Sequence, residues 1–166
     1  MRIFKEEQRF TQTWLIVVLA ISLIVSTSIM IKEYSKDNST LSTTEFVLVL
    51  FGTISAPLII FFFKLKTRID EIGIHYQFIP FHFSKKTIVW SDIKSAYTRK
   101  YDAITEFGGW GLKSKVIWRK SRGVSYSVSG NIGLQLELIS GKKILIGTQK
   151  QYEVDTVINT YKNKIQ

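Results

Sequence analysis

The chain has 166 residues, two histidines, no cysteine and a formal net charge of +10. Without cysteine it has no disulfide framework and no thiolate metal site. Its length holds one domain of ordinary size once its apolar segments are set aside.

The N-terminal tail carries Arg2, Lys5 and Arg9 against Glu6 and Glu7, a net charge of +1. Two runs of 18 uncharged residues follow, Trp14–Ile31 and Phe46–Phe63. As a helix each covers about 27 Å, close to the roughly 30 Å of a bilayer's hydrocarbon layer, so both are expected to span a membrane. The expected division is therefore residues 1–63 as tail and two-helix transmembrane hairpin, and residues 64–166 as a soluble domain. The loop between the runs has a net charge of −1, whereas residues 64–166 carry +10 by themselves. Lys/Arg crowd both outer flanks, with Lys64, Lys66 and Arg68 directly after Phe63. By the positive-inside rule both termini are expected in the cytoplasm, on a plasma-membrane protein. A cleaved signal peptide also begins with a charged segment, but the first run exceeds the usual h-region and no clean Ala-x-Ala-like site follows it. Asn38-Ser39-Thr40 matches a glycosylation sequon in a loop expected to be too short and too near the membrane for modification. Ser22/Ser26 and Gly52/Ala56 space small residues four apart, which favours close helix packing on each other or on a second copy. Pro57 is expected to kink the second helix rather than end it. Neither run contains an ionisable residue, which argues against an ion or proton pathway.

After the hairpin the period changes to two. Ile74–Phe83 and Ile88–Trp90 flank a turn at Ser84-Lys85-Lys86, and Lys94–Tyr101 is a further strand. Leu112, Ser114, Val116 and Trp118 alternate with Lys113, Lys115 and Ile117. Val124, Tyr126 and Val128 alternate with serines, and Ile132, Leu134, Leu136 and Leu138 with Gly133, Gln135 and Glu137. Ser129-Gly130-Asn131 reads as a hairpin turn between those two strands, and Ser140-Gly141-Lys142 as a second turn before Lys143–Gly147. About seven strands joined by short turns predict an antiparallel sandwich or barrel. Val154, Val157, Ile158, Tyr161 and Ile165 then form one helical stripe, with Thr148 and Gln151 spaced as a capping box. The predicted class is thus a transmembrane α-hairpin plus an α+β, mainly β domain whose C-terminal helix closes one end of the barrel.

Trp90-Ser91-Asp92-Ile93, after a short strand, resembles the W-x-D-I turn of bacterial pleckstrin-homology-like (PH-like) domains, many of them tethered by a transmembrane hairpin. Gly108-Gly109-Trp110-Gly111, Val128-Ser129-Gly130-Asn131, Gly133-Leu134-Gln135-Leu136 and Ile146-Gly147-Thr148-Gln149 resemble segments of small bacterial membrane proteins of that type. The resemblance implies a seven-stranded PH-like barrel closed by a helix, together with membrane tethering, and carries over no activity. The basic pattern that PH domains often use for inositides is only partly met, since Asp70-Glu71-Ile72-Gly73 forms the turn that follows Lys66 and Arg68.

The catalytic inventory is thin. His75 and His82, seven apart on one expected strand, face opposite sides of a sheet and are expected to be surface or edge histidines. No hydrolase, Walker or zincin word appears. Gly108-Gly109-Trp110-Gly111 lacks a following helix to bind phosphate and reads as a turn needing positive φ. Asp70, Glu71, Asp102 and Glu106 read as isolated turn acids. A non-enzymatic role without metal or cofactor is therefore expected.

The candidate binding residues are Lys85, Lys86, Lys113, Lys115, Arg119, Lys120 and Arg122, expected to form one positive patch. Held near anionic lipid headgroups, each charge contributes about 1 kcal/mol of attraction. The same lysines would equally serve to solubilise a sheet face. The alternative role is protein interaction or homo-oligomerisation through sheet edges and the hairpin. Nucleic acid is not expected as a partner, because the aromatics alternate into the core instead of forming a stacking platform.

Overall fold

A computed structural model describes residues 2–36, 42–114 and 123–165. The chain divides into two compact units, Phe10–Phe62 and the segments that flank it.

The first unit is a pair of helices, α1 (Thr13–Tyr34) and α2 (Thr43–Leu58), the second tightening into a 3₁₀ turn over Ile59–Phe62. By length and composition both are able to cross a membrane, and neither buries any residue in the protein. α2 begins with a full capping box: Ser42 Oγ accepts from the Glu45 N–H, and the Glu45 carboxylate accepts from the Ser42 N–H. Tyr34 stacks on Phe46 at 4.2 Å, and the Thr53 hydroxyl lies 3.4 Å from the Met30 sulfur. Ser26, Ser28, Thr53 and Ser55 donate to the carbonyl one turn earlier, so these hydroxyls need no water. α2 includes Pro57 and passes into the 3₁₀ turn after Leu58. A Cβ added at Gly52 would meet nothing within 4 Å, so Gly52/Ala56 is not where the two helices approach closely. The triplet Asn38-Ser39-Thr40 lies outside the described residues.

The second unit contains two sheets. The first has the order β1 (Phe4–Arg9), β2 (Lys64–Ile69), β3 (Gly73–Ile79), β4 (Lys86–Val89), all antiparallel. The second contains β5 (Ile93–Lys100), β6 (Gly111–Ser114), β7 (Val124–Ser127), β8 (Ile132–Leu138) and β9 (Lys143–Gly147), in the order β5-β8-β9-β7-β6. Alternation drives β2: Leu65, Thr67 and Ile69 point inward, while Lys64, Lys66 and Arg68 do not. The sheets meet through aromatic rings, with Tyr76 4.8 Å and Phe78 6.5 Å from Tyr126. A short helix α3 (Ala103–Phe107) follows β5. The C-terminal helix α4 (Gln151–Tyr161) buries Val154, Val157, Ile158 and Tyr161, its ring 5.3 Å from Trp90.

Four expectations are corrected. The domain is not a seven-stranded PH-like barrel: the described residues form sheets of four and five strands that do not close, and β7 pairs with β9 in parallel. The break between the sheets falls at Trp90, which is buried and donates from Nε1 to the Asp70 carbonyl (2.9 Å). That anchor carries the chain out of the first sheet before β5 pairs with β8. With no barrel to plug, α4 packs along β5, β1 and β8. Second, Ser129-Gly130-Asn131 does not close a hairpin, because β9 lies between β7 and β8. Its carbonyls are held elsewhere: Ser129 accepts from Gln149 Nε2, Gly130 from Trp110 Nε1, and Asn131 from the Tyr101 N–H. Gly130 has φ +76°, the left-handed region that favours glycine. Third, Thr148 and Gln151 form no capping box. Thr148 Oγ1 accepts from the Lys150 N–H and donates to Glu6, while Gln151 reaches Thr98. Fourth, Phe4–Arg9 is not a bare tail but an edge strand of the domain. Gln8 Nε2 donates to the Gly147 carbonyl at 2.7 Å, and Glu6 accepts from the Gln149 N–H.

If β1 belongs to the core, its one large inward residue carries a measurable share of stability. Phe4 is 2% exposed and its neighbour Ile3 44%. Phe4→Ala is expected to cost about 3–5 kcal/mol in chemical denaturation of the full chain in neutral detergent. Ile3→Ala is expected to cost less than about 0.5 kcal/mol.

Candidate functional site

Because β1 to β4 alternate, every second residue of the first sheet faces away from the core. Register sorts these residues into rows: Arg9 opposite Lys64, then Glu7, Lys66 and Gln77, then Lys5, Arg68, His75 and Thr87. Lys85, in the β3–β4 loop, joins Lys5, Glu7, Lys66, Arg68, His75 and Gln77 in lining a groove of about 330 Å³. Six cations (Lys5, Arg9, Lys64, Lys66, Arg68 and Lys85) thus stand on or beside one sheet face that has two acids, Glu7 and Asp70.

Both acids are already engaged. Glu7 accepts from Arg9 at 2.7 Å and lies 3.6 Å from Lys66 Nζ. The Arg9 hydrogen bond, aided by the Arg9, Lys66 and Lys64 charges against slight desolvation, holds its carboxyl below the usual carboxylate range. Asp70 is buried at the β2–β3 turn. Burial alone would raise its carboxyl, but hydrogen bonds from His75, the Ile72 N–H and Arg68 outweigh that and hold it at about 2. The distances are 3.0 Å from His75 Nε2 to Oδ1, 3.1 Å from the Ile72 nitrogen to Oδ1 and 2.8 Å from Arg68 Nε to Oδ2. His75 Nδ1 lies 2.8 Å from Thr87 Oγ1 on the next strand. Hydroxyl, imidazole and carboxylate stand here in the order of a hydrolase triad. The carboxylate, however, also serves Arg68 and a turn N–H, which makes it the fastening of the β2–β3 turn and of the Arg68 side chain.

The residues anticipated from the sequence are distributed differently. Lys85 lines the groove. Lys86 is exposed on the edge strand, and its charge, after the effect of burial, helps lower the pKa of His82. Lys113 is half-buried on β6 of the other sheet, opposite Ser125. Lys115, Arg119, Lys120 and Arg122 lie outside the described residues. The groove therefore unites Lys85 with Lys5, Lys66 and Arg68, three residues outside the patch expected from the sequence. Their signal was the alternation of Lys64-Leu65-Lys66-Thr67-Arg68-Ile69, visible as a face only once β1 supplies the neighbouring strand.

The histidines also part company. His75 sits on β3 as expected, whereas His82 lies beyond its end and turns inward. Its Nδ1 accepts from the Phe78 N–H at 3.1 Å, and its ring packs on Tyr76 and Tyr126. Asp102 and Glu106 are not isolated. Asp102 caps α3 by accepting from the Ile104 and Thr105 N–H groups, and Glu106 pairs with Arg99 at 2.9 Å. Gly108, Gly109 and Gly111 take positive φ, ending α3 in a loop, as expected for the Gly108–Gly111 segment.

The Asp70 carboxyl titrates lower in the folded than in the unfolded chain, so its contribution is present above about pH 4 and lost as pH falls toward 2. Unfolding of the full chain, followed from pH 5 to pH 2, is expected to show about 2 kcal/mol of acid destabilisation from this residue. Asp70→Asn removes that part of the slope and costs about 1–3 kcal/mol at neutral pH. An unchanged slope in the variant would assign the acid sensitivity to other carboxylates. No family model matches the chain, and no curated protein matches it.

Proposed function

We propose that this protein is a non-enzymatic membrane-tethered module whose basic sheet face binds anionic lipid headgroups at the cytoplasmic surface of the plasma membrane. The observation that carries this reading is the excess of six cations over two engaged acids on one face. Lys5 and Lys85 have no carboxylate partner among the described residues. A face that only needed to be soluble would carry both signs interspersed. The chain's connectivity supports proximity to a bilayer. Arg9 and Lys64 are directly paired, and the 54 residues between them are the apolar hairpin. With both ends of the hairpin at one point of one sheet, two crossings return the chain to the side it left, in keeping with the Lys/Arg bias. Retention of the first helix is supported by β1, since removing it would take Phe4 and Gln8 from the core.

Each cation near an anionic surface contributes about 1 kcal/mol, and tethering multiplies the effect through effective concentration. The test uses the full chain in neutral detergent micelles doped with phosphatidylglycerol or phosphatidylcholine, with retained lipid counted by native mass spectrometry over a salt series. Selective, salt-sensitive retention of phosphatidylglycerol is expected. The triple variant Lys5→Gln, Lys66→Gln, Lys85→Gln should weaken it by up to about 100-fold while leaving the fold intact. Equal retention by variant and parent would overturn the reading and turn attention to association through the helices.

A further inference from the structure

The β3–β4 loop carries two aromatic rings, Phe81, which packs on Phe63 and Phe78 and is still half exposed, and Phe83, which the fold does not use. Phe83 is 99% exposed and Phe81 55%, although the loop that carries them is tightly bonded. His82 between them turns inward, its N–H donating to the Phe78 carbonyl at 2.8 Å and its Nδ1 accepting from the Phe78 N–H. Gln77 Nε2 donates to the His82 carbonyl (3.0 Å) and to the Phe83 carbonyl (3.3 Å). The loop is thus fastened at His82 and Phe83 while it points a whole phenyl ring at solvent. Scattered exposed apolar residues are common on any protein, but a fully exposed Phe on a fastened loop, paired with a second exposed Phe, calls for an apolar neighbour.

Two further observations say what that neighbour is. Phe81 packs against Phe63, ring centroids 5.6 Å apart, and Phe63 also contacts Phe78. Phe63 is the last residue of the apolar run and is followed at once by Lys64, the first charge after it. If the second helix spans the bilayer as proposed, whatever packs on Phe63 lies within a ring contact of the point where the chain leaves it. The loop is also bordered by cations, Lys85 and Lys86 after it and Lys64 beside Phe63 in the chain. Apolar rings inside a collar of lysines match an anionic leaflet, with the rings at the acyl boundary and the ammonium groups at the phosphates.

We propose that Phe83, supported by Phe81, inserts into the same leaflet from which the second helix emerges, making the β3–β4 loop a membrane anchor separate from the hairpin. This rests on the reading above that the helices span the bilayer. It adds a specific orientation, in which the β3–β4 end of the first sheet dips into the lipid and the groove lined by Lys66, Arg68 and Lys85 is held at headgroup level.

The chain has no cysteine, so a nitroxide can be attached at one introduced position. Phe83→Cys alters a side chain with no packing partners, and Phe51→Cys, at a position 72% exposed in α2, reports on the hairpin itself. Both labelled full-length variants are reconstituted into phosphatidylcholine/phosphatidylglycerol vesicles. Collision with oxygen, which concentrates in lipid, is compared with collision with a water-soluble nickel chelate. The expected result is preferential oxygen collision at both sites, with Phe83 the shallower. If the Phe51 label is deep and the Phe83 label aqueous, the anchor is overturned while the spanning hairpin stands. An aqueous Phe83 label with spin–spin broadening assigns the aromatic pair to contact with a second copy, and likewise overturns the anchor. If both labels are aqueous, the spanning reading fails and the anchor fails with it.

Discussion

The pairing of β1 with β2 is the constraint on which the rest of the molecule depends. Six consecutive partners, from Phe4 opposite Ile69 to Arg9 opposite Lys64, join strands separated in the chain by the whole apolar hairpin. A flexible loop of that length would make the pairing entropically costly. Here the intervening chain is two helices that already lie side by side, with Tyr34 stacked on Phe46 near their connection. With the helices side by side, the ends of the hairpin at Arg9 and Lys64 are already neighbours. An otherwise long-range strand pair becomes the local continuation of a helical hairpin, which lowers the effective loop to be closed.

What β1 contributes once it is paired is polar as much as apolar. Its inward positions present Phe4, Glu6 and Gln8 to the second sheet, where Gln8 meets the Gly147 carbonyl and Glu6 meets Thr148 and the Gln149 N–H. Buried polar groups are tolerated only with partners, and these partners lie at the end of β9. The two sheets are consequently joined in one register, not merely stacked on Tyr76, Phe78 and Tyr126. α4 completes the join, since the Tyr161 hydroxyl donates to the Arg2 carbonyl at 2.7 Å. A segment that reads as a charged tail is bonded from both sides.

That mixed role explains why β1 was illegible. Phe4-Lys5-Glu6-Glu7-Gln8-Arg9 contains one apolar residue, so no period-two hydrophobic pattern exists to find. The two helices were legible because an uncharged 18-residue run has few alternative readings. β8, β9 and α4 were legible for the same reason, their inward sides being almost wholly apolar. The partners of β7 were not. Ser129-Gly130-Asn131 carries strong local turn chemistry, and local chemistry reports that the chain turns without saying which strand it turns toward. The insertion of β9 between β7 and β8 is decided by distant bonds from Trp110, Gln149 and Tyr101. The candidate site suffered from the same gap. Lys66 and Arg68 stood out as charges beside the second apolar run, but a charge becomes part of a face only when its neighbours across the sheet are known, and those neighbours belong to β1 and β3.

The arrangement of acids decides what kind of surface that face is. Glu7 and Asp70 offset two of the six cations, which leaves an excess of four positive charges on this face. Asp70 is drawn into the β2–β3 turn, shared among Arg68, His75 and the Ile72 N–H, and kept ionised by them at all ordinary pH. Its charge fastens Arg68 rather than meeting solvent. Glu7 is divided between Arg9 and Lys66 at the end of the sheet nearest, along the chain, to the hairpin. Lys5 and Lys85 are left lining the groove with no carboxylate partner among the described residues. Exposed charges are screened over about 10 Å at 0.1 M salt, so their field acts only on anions that come within a side chain's length of the sheet. A diffusing partner would spend little time there. If the hairpin spans the bilayer as proposed, a lipid surface is held there permanently, and a shallow cationic groove with modest affinity for each headgroup would be sufficient to orient the domain.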